Sequence, residues 1–181
     1  MVSQRSRRPV VRDPVVIVPW RPEWADQFVE ARDAILPLFE SGEAFVEHVG
    51  STAVPGLAAK PIVDMILGVR RLAEVERRIP ALEAAGWEYI PDHEAVFPDR
   101  RFLARPKPRP RNHHLHAVEL GTRFWNDHLV FRDHLRAHAE DARAYGELKR
   151  VLAEKHGHDR EAYTEAKSDF VRGVLARVGA R

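Results

Sequence analysis

The stretch EHVGSTAVPGLAAKPIVDMILGV, residues 47–69, contains the end of one predicted strand, a loop of small residues and a second apolar strand. Gly50 and Ser51 end the first strand, and Asp64 is the single carboxylate within the second. A buried carboxylate costs free energy unless it is paired or binds a cation. We therefore expect this stretch to hold the functional site.

The segments on either side of this stretch show helical and strand periodicity. A helix is predicted from about Pro22, with its last turn distorted by Pro37, and a strand-like VVIVPW precedes it. After the second strand, RLAEVERRIPALEAAG predicts a helix that ends at Gly86 and is kinked or split by Pro80.

The second half of the chain predicts three more strands, WEYI, RFLAR and HHLHAVEL, the last two joined as a hairpin. Asp159 is predicted as the N-cap of the last helix. Three helices are predicted after the strands, over about 123–136, 139–156 and 159–178.

This order of elements predicts an α+β fold, a small mixed sheet with helices packed on it. Residues 1–13 are expected to be a disordered basic tail, and residues 14–181 a single domain. Within that domain we expect the sheet core at about 14–120 and a helical region at about 121–181.

The composition excludes several classes of site. The 181 residues include no cysteine, which excludes disulfides, thiolate zinc sites and thiol nucleophiles. A formal net charge of +2 gives no general case for nucleic acid, so RNA is an unlikely partner. No apolar run is long enough to span a membrane, no secretory signal is expected, and a cytoplasmic location is the default expectation.

The loop after the first strand has the chemistry of a phosphate site. Gly50 permits a sharp turn and a close approach of ligand, and free backbone N–H groups from Ser51 and Thr52 onward could face an anion. Lys60 adds a positive charge. Asp64 could hold Mg²⁺ bridging to the phosphates. The alternative is an ordinary connection in which Asp64 caps a backbone group or pairs with an arginine.

Two further carboxylates lie near strand ends, where ligands bind in open α/β sheets. Glu47 and His48 are the polar exceptions on a first strand whose two faces are otherwise mostly apolar, which predicts an interior strand. Glu119 lies similarly at the end of HHLHAVEL. Glu47 and Glu119 are therefore candidates to complete a metal or base function with Asp64.

His114 and His116 point to the same side of their strand. This geometry suits two metal ligands or a histidine that contacts substrate. The alternative is a pair of histidines that line a polar sheet face.

Basic and aromatic residues elsewhere supply more candidates. Arg101 and Arg105 alternate on the strand before the Pro/Arg loop and could reach a polyphosphate. Tyr163 and Lys167 lie one helical turn apart, and could stack on a base and bind a phosphate. Alternatively, Tyr163 packs on the sheet and the Lys167 side chain extends along it.

Several motifs together resemble the GrpB family of small bacterial proteins. They are VPWRPEWADQF, EHVGSTAVPGLAAKPIVDMILGV, RNHHLHAVE, HLVFRDHLRAH and YTEAKSDFV, and the resemblance covers residues 18–171. The resemblance implies a nucleotidyltransferase-like fold of the polymerase β type. It also implies a link to coenzyme A metabolism, because the domain occurs fused to dephospho-CoA kinase in some bacteria.

The superfamily signature is a Gly-Ser turn followed by a strand with two acids separated by one residue, and a third acid on a later strand. Gly50 and Ser51 match the turn, and Asp64 matches one acid. Ile62 and Ile66 occupy the positions two residues either side of Asp64, so the paired acid is missing. The site must then recruit another group, use one metal, or bind a nucleotide without catalysis.

Two functions follow from these expectations. The first is a nucleotidyltransferase-like enzyme that binds a nucleoside triphosphate with Mg²⁺ held by Asp64 and Glu47, with His116 or Glu119 assisting. The second is a non-catalytic module that binds a nucleotide or another phosphorylated small molecule and acts with a coenzyme A biosynthetic enzyme. No organic cofactor is expected.

Overall fold

The fold is built on a five-stranded sheet with the strand order β1-β2-β5-β4-β3. In the computed structural model, which describes residues 14–106 and 110–179, the central strands β2 and β5 are parallel and the other neighbours antiparallel. The strands are β1 (Ala44–Val49), β2 (Val63–Val69), β3 (Glu88–Tyr89), β4 (Arg100–Arg105) and β5 (His113–Glu119). The predicted α+β fold with a small mixed sheet is confirmed.

Helices surround this sheet, and several of their predicted ends are confirmed. Pro22 is the N-cap of the first helix, and the Asp159 carboxylate accepts two backbone N–H groups at the start of the sixth. The helix predicted over residues 71–86 is split into the second and third helices, with Pro80 in the first turn of the third. The helices are α1 (Glu23–Ile35), α2 (Leu72–Glu76), α3 (Ile79–Ala84), α4 (Arg123–Ala137), α5 (Ala139–His156), α6 (Arg160–Ala166) and α7 (Ser168–Arg177).

The first face of the sheet is buried under α1, α2 and α3. It carries Met65 and Leu67 of β2, neither of them accessible to solvent. These side chains pack with Trp24 and Ile35 of α1 and Leu82 of α3 in the largest apolar cluster of the described residues. Burial of this size is the main favourable contribution to folding.

The second face, on the other side of the sheet, carries Asp64, Ile66 and Gly68 of β2, because side chains alternate along a strand. Helix α4 covers one half of it, where Phe124 and Trp125 pack on Ile66 and its neighbours. The half that carries Asp64 is left open to a cavity.

Strand β1 lies at an edge of the sheet, so the prediction of an interior strand was wrong. Its apolar pattern arises because α1 packs on one of its faces and α4 approaches the other. No strand of the described ranges pairs with its outer side. Phe45 retains 49% of its surface exposed, as expected at an edge.

Two other predictions also need correction. VVIVPW does not join the sheet, and only Val18 forms an isolated bridge, with Ala59. The last predicted helix is two helices, α6 and α7, which meet at Lys167. The backbone N–H of Lys167 donates to the carbonyl of Thr164, three residues back, which tightens the chain at that point.

The predicted basic tail, residues 1–13, lies outside the described residues, as do positions 107–109 of the Pro/Arg loop. Over the described ranges, 14–106 and 110–179, no helix is long and apolar enough to cross a lipid bilayer.

Replacement of Gly68 by Ala is expected to lower the free energy of unfolding by about 1–3 kcal/mol, the usual cost of overpacking. A Cβ at this position would meet the side chain of Leu120 and lie 2.6 Å from Cζ3 of Trp125. Urea unfolding measures the change. As the matched control, Gly173→Ala in α7, where a Cβ would meet nothing within 4 Å, should instead raise stability by about 0.5–1 kcal/mol. Equal stability of Gly68→Ala and the natural chain would contradict the close packing of Leu120 and Trp125 on Gly68.

Candidate functional site

A cavity of about 870 Å³ lies over the uncovered half of the second face of the sheet. Its floor comes from β2, β4 and β5, and its walls from the loop after β1, the segment before β4, and helices α5 and α6. Ligand pockets are of this size. The charged lining residues are Lys60, Asp64, Arg100, Lys149, Arg160, Glu161, Glu165 and Lys167.

The Gly50-Ser51 turn lies directly beside Asp64. Gly50 has φ of +70°, and a Cβ there would lie 2.9 Å from Oδ2 of Asp64. Glycine is therefore required at this position, because both the backbone conformation and the nearby carboxylate disfavour a side chain. Ser51 begins a short 3-10 helix, Ser51–Ala53, and lines the cavity.

Asp64 is the acidic centre of the cavity floor. Nδ1 of His114 on the adjacent strand donates to Oδ1 of Asp64 at 3.1 Å. Burial alone would raise the pKa of Asp64, but the hydrogen bond and charge of His114, with the charge of Lys60, outweigh it and hold that pKa well below its usual range. About a third of the side chain (34%) is still accessible. The carboxylate is therefore ionised and reachable by a ligand.

Three lysines place ammonium groups around the same cavity. Nζ of Lys149 donates to the carbonyl of Ala58 at 2.5 Å, and Nζ of Lys167 lies 4.4 Å from the ring centroid of Tyr163. Burial, reinforced by Lys167, lowers the pKa of Lys149 to about 7. Burial and the charge of Lys60 lower the pKa of Lys167 to about 8. Burial likewise lowers the pKa of Lys60.

The opposite wall of the cavity is aromatic. Phe102 of β4 stacks with His93 at 4.3 Å between ring centroids and lies 5.0 Å from His116. Burial is the main reason that the pKa of His116 is well below its usual value. Nδ1 of His116 and Nε of Arg100 are buried nitrogens with no hydrogen-bond partner among the described residues.

Eight of the predicted site residues line this cavity: Ser51, Thr52, Lys60, Asp64, His114, His116, Tyr163 and Lys167. Gly50, a ninth predicted residue, lies next to Asp64. The structure therefore brings together residues that are distant in the sequence, from the loop after β1 to α6. The hydroxyl of Thr52, however, is hydrogen-bonded to Nε2 of His48 at 3.0 Å.

Three predicted residues lie away from the cavity. Glu47 pairs with Nη1 of Arg132 at 2.7 Å. Glu119 is on the first face of the sheet, where it accepts the backbone N–H of Leu72 at the start of α2. Arg101 also projects from the first face and pairs with Glu76 at 2.5 Å. None of these side chains is placed beside Asp64.

Several lining residues were missed from the sequence, among them Lys149, Arg100 and Phe97. Lys149 did carry a signal, because it shares one face of α5 with the buried Tyr145 and Leu152. A lysine whose position on a helix is shared with buried apolar residues is a candidate for a buried amine. Phe97 and Arg100 carried no comparable signal, because Phe97 lies in a loop and Arg100 is the first residue of β4.

The residues present do not fit a two-metal centre. Such a centre needs several carboxylates, and no group of three or more potential metal-ligating side chains converges anywhere in the described part of the chain. Asp64 remains available as a single protein carboxylate for one hard cation such as Mg²⁺.

A second cavity of about 860 Å³ lies between residues 17–19, the 54–58 loop and α5. Its lining is mainly apolar. The arginines at its edge, Arg143 and Arg150, pair with glutamates of their own helix. The cavity over Asp64 is the stronger candidate because it joins convergent polar groups with perturbed pKa values.

Comparison with known proteins assigns the chain to a family. The family model described as GrpB protein matches residues 14–177. The chain belongs to the GrpB family. It is 40% identical over 157 residues to a UPF0157 protein of Streptomyces coelicolor, covering 87% of this chain and 80% of that protein. The crystal structure of conserved protein GrpB from Enterococcus faecalis matches with a TM-score of 0.81 and 33% identity, covering 90% of this chain and 96% of that one.

Another relative of this GrpB-family chain is a dephospho-CoA kinase of Mycolicibacterium paratuberculosis. The two sequences are 29% identical over an alignment 197 positions long. The alignment covers 95% of this chain but only 48% of the kinase. This partial match is consistent with the expected fusion of a GrpB domain to such a kinase.

Replacement of Lys167 by Met is expected to stabilise the GrpB-family chain by about 1 kcal/mol at neutral pH, as removal of functional strain commonly does. The folded-state pKa of Lys167, about 8, lies below the ordinary lysine value of 10.5. Below pH 8 both folded and unfolded chains carry the proton, so the natural chain bears the whole cost of the buried charge. The cost of the buried charge falls as the pH rises from 8 to 10.5, and it is absent above pH 10.5.

Thermal unfolding at several pH values tests this expectation. A gain of about 1 kcal/mol is a rise of about 2–4 °C in Tm for a chain of this size. The gain should shrink towards pH 10.5. Lys155→Met, at an exposed position of α5, is the matched control and should leave Tm nearly unchanged. A gain independent of pH would show that the buried charge is not its cause.

Proposed function

We propose that this protein binds a nucleoside triphosphate in the cavity over Asp64. The observation that carries the proposal is the excess of cationic side chains in one cavity: Lys60, Arg100, Lys149, Arg160 and Lys167 against Asp64, Glu161 and Glu165. Glu161 and Glu165 are exposed on α6, so the interior of the cavity is more positive than this comparison suggests. A polyanionic ligand complements such a site.

The lysine wall, defined as Lys60, Lys149 and Lys167, holds the phosphates in this proposal. Holding one buried and two half-buried ammonium groups close together is costly. A bound polyphosphate offsets that cost, because its charge favours the protonated form of each amine and raises the lowered pKa values. Ligand binding is then accompanied by proton uptake.

In this proposal Asp64 would hold one Mg²⁺, which would supply positive charge to the phosphates of the ligand. The Gly50-Ser51 turn beside a strand acid supports a nucleotidyltransferase-like assignment of the fold. The adjacent strand β5, however, carries His114 and His116 alongside Asp64 and Ile66. Where the superfamily signature has further acids, this chain has imidazole and apolar groups, which supports one metal rather than two.

Asp64→Asn distinguishes a metal-binding role of Asp64 from a purely structural one. With Mg²⁺ present, we expect the variant to bind its preferred nucleoside triphosphate at least about tenfold more weakly, because a metal ligand is lost. Without Mg²⁺, the same variant should bind more tightly than the natural chain, because a negative charge facing the phosphates is gone. Isothermal titration calorimetry with ATP, GTP, CTP and UTP, with Mg²⁺ or EDTA, measures both effects.

Asp26→Asn is the matched control for this titration, since Asp26 is exposed on α1 over the other face of the sheet. Its affinities should equal those of the natural chain. Tighter binding of Asp64→Asn both with and without Mg²⁺ would contradict the metal role. No binding of any nucleotide by the natural chain would contradict the proposed function itself.

Nucleotidyl transfer is the chemistry that an ionised Asp64 beside the Gly-Ser turn favours. An acceptor hydroxyl or phosphate would attack the α-phosphorus, and pyrophosphate would leave. We expect pyrophosphate release from the bound triphosphate, with coenzyme A precursors as acceptors, to be abolished in Asp64→Asn while its thermal unfolding stays cooperative. Full turnover in that variant would exclude catalysis at Asp64.

A non-catalytic role is the second candidate, and the missing paired acid favours it. In that role the cavity binds a nucleotide or another phosphorylated small molecule, and the protein acts with a coenzyme A biosynthetic enzyme, as the similarity to a dephospho-CoA kinase suggests. Binding without pyrophosphate release across the acceptor panel would support this role over transfer.

A further inference from the structure

Two large apolar side chains, Val96 and Phe97, lie exposed at the mouth of the cavity. Val96 retains 70% and Phe97 45% of its surface accessible, although both line the cavity. Single exposed apolar residues are common on protein surfaces. Two adjacent ones at the edge of a cationic cavity instead indicate a surface that a ligand covers.

The backbone of this segment is well anchored. The N–H groups of Val96 and Phe97 both donate to the carbonyl of His93, at 3.2 and 2.9 Å, and the N–H of Arg100 donates to the carbonyl of Phe97. The aromatic ring is thus presented from a hydrogen-bonded turn at the start of β4. Binding to it requires little ordering of the chain.

Arg100 supports one side of the Phe97 ring. Its guanidinium carbon lies 3.9 Å from the centroid of Phe97 and 4.7 Å from that of Phe124, so the cation lies close to two aromatic rings. Such contacts stabilise both partners when they are partly desolvated. The Phe97 side chain is therefore held in position by Arg100, while part of its ring stays exposed.

Tyr163, which the sequence suggested as the base-stacking residue, is less accessible to a ligand than Phe97. It is only 5% exposed and packs with Val15 and Leu152. The ammonium of Lys167 also lies 4.4 Å from its ring centroid. Phe97 is an exposed aromatic residue lining the same cavity, on a different segment from the lysine wall.

We propose that Phe97, with Val96 beside it, is the stacking platform for the planar base of the ligand whose phosphates bind the lysine wall. This inference rests on the proposed function and adds a selectivity to it: the protein prefers a nucleotide to a bare polyphosphate. A base that covers Phe97 removes exposed apolar surface from water, and every nucleobase has a face that can stack in this way.

The test compares nucleoside triphosphates with inorganic tripolyphosphate, which carries the phosphates without the base. Calorimetric titration of the full chain with ATP, GTP, CTP, UTP and tripolyphosphate is repeated for Phe97→Ala and Phe97→Tyr. We expect Phe97→Ala to lose about tenfold or more in affinity for the preferred nucleotide and to keep its affinity for tripolyphosphate. Phe97→Tyr retains an aromatic face and should bind the nucleotide as the natural chain does.

Phe45→Ala is the matched control, because Phe45 is similarly exposed, at 49%, but lies on the edge strand and does not line the cavity. It should change neither affinity. Unchanged nucleotide affinity in Phe97→Ala, or an equal loss for both ligands, would overturn the platform while leaving the proposed function in place. Failure of the natural chain to bind either ligand would overturn the proposed function and the platform together.

Discussion

The contact between the Asp64 carboxylate and its two neighbours is the constraint on which the site depends. On one side Gly50 lacks the Cβ that would collide with Oδ2, and on the other the Nδ1 of His114 donates to Oδ1. These residues lie on three elements: the end of β1, and the parallel strands β2 and β5. The pairing of Asp64 with His114 across β2 and β5 fixes the register at the floor of the cavity.

Around that floor, the protein retains charges that weaken the fold. Lys60, Lys149 and Lys167 all have pKa values lowered by burial. A core selected for stability alone would place apolar side chains there. The anionic ligand that we propose for this cavity would supply negative charge to these amines. Functional sites are where such conflicts with stability are expected.

The sequence predicted the part of the site that is local in the chain. Gly50, Ser51, Lys60 and Asp64 lie within fifteen residues of one another, and their chemistry could be combined without knowledge of the fold. Whether Glu47 and Glu119 lie beside Asp64 could not be predicted from local sequence. Both lie near strand ends, but a carboxylate one residue out of phase projects from the other face of the sheet, and Glu119 does so. Glu47 is on the correct face, yet Arg132 of a helix 85 residues later pairs with it.

The sequence by itself determined the family, most of the order of helices and strands, and the Gly50-Ser51 turn followed by Asp64. These features depend on periodicity, on glycine and proline conformations and on caps, all of which act over a few residues. Only the tertiary structure decided that β1 is an edge strand, that Lys149 joins Lys60 and Lys167, and that Phe97 rather than Tyr163 is exposed at the cavity. Each of these depends on which elements pack together, because pairing partners and burial are set by contacts between residues far apart in the chain.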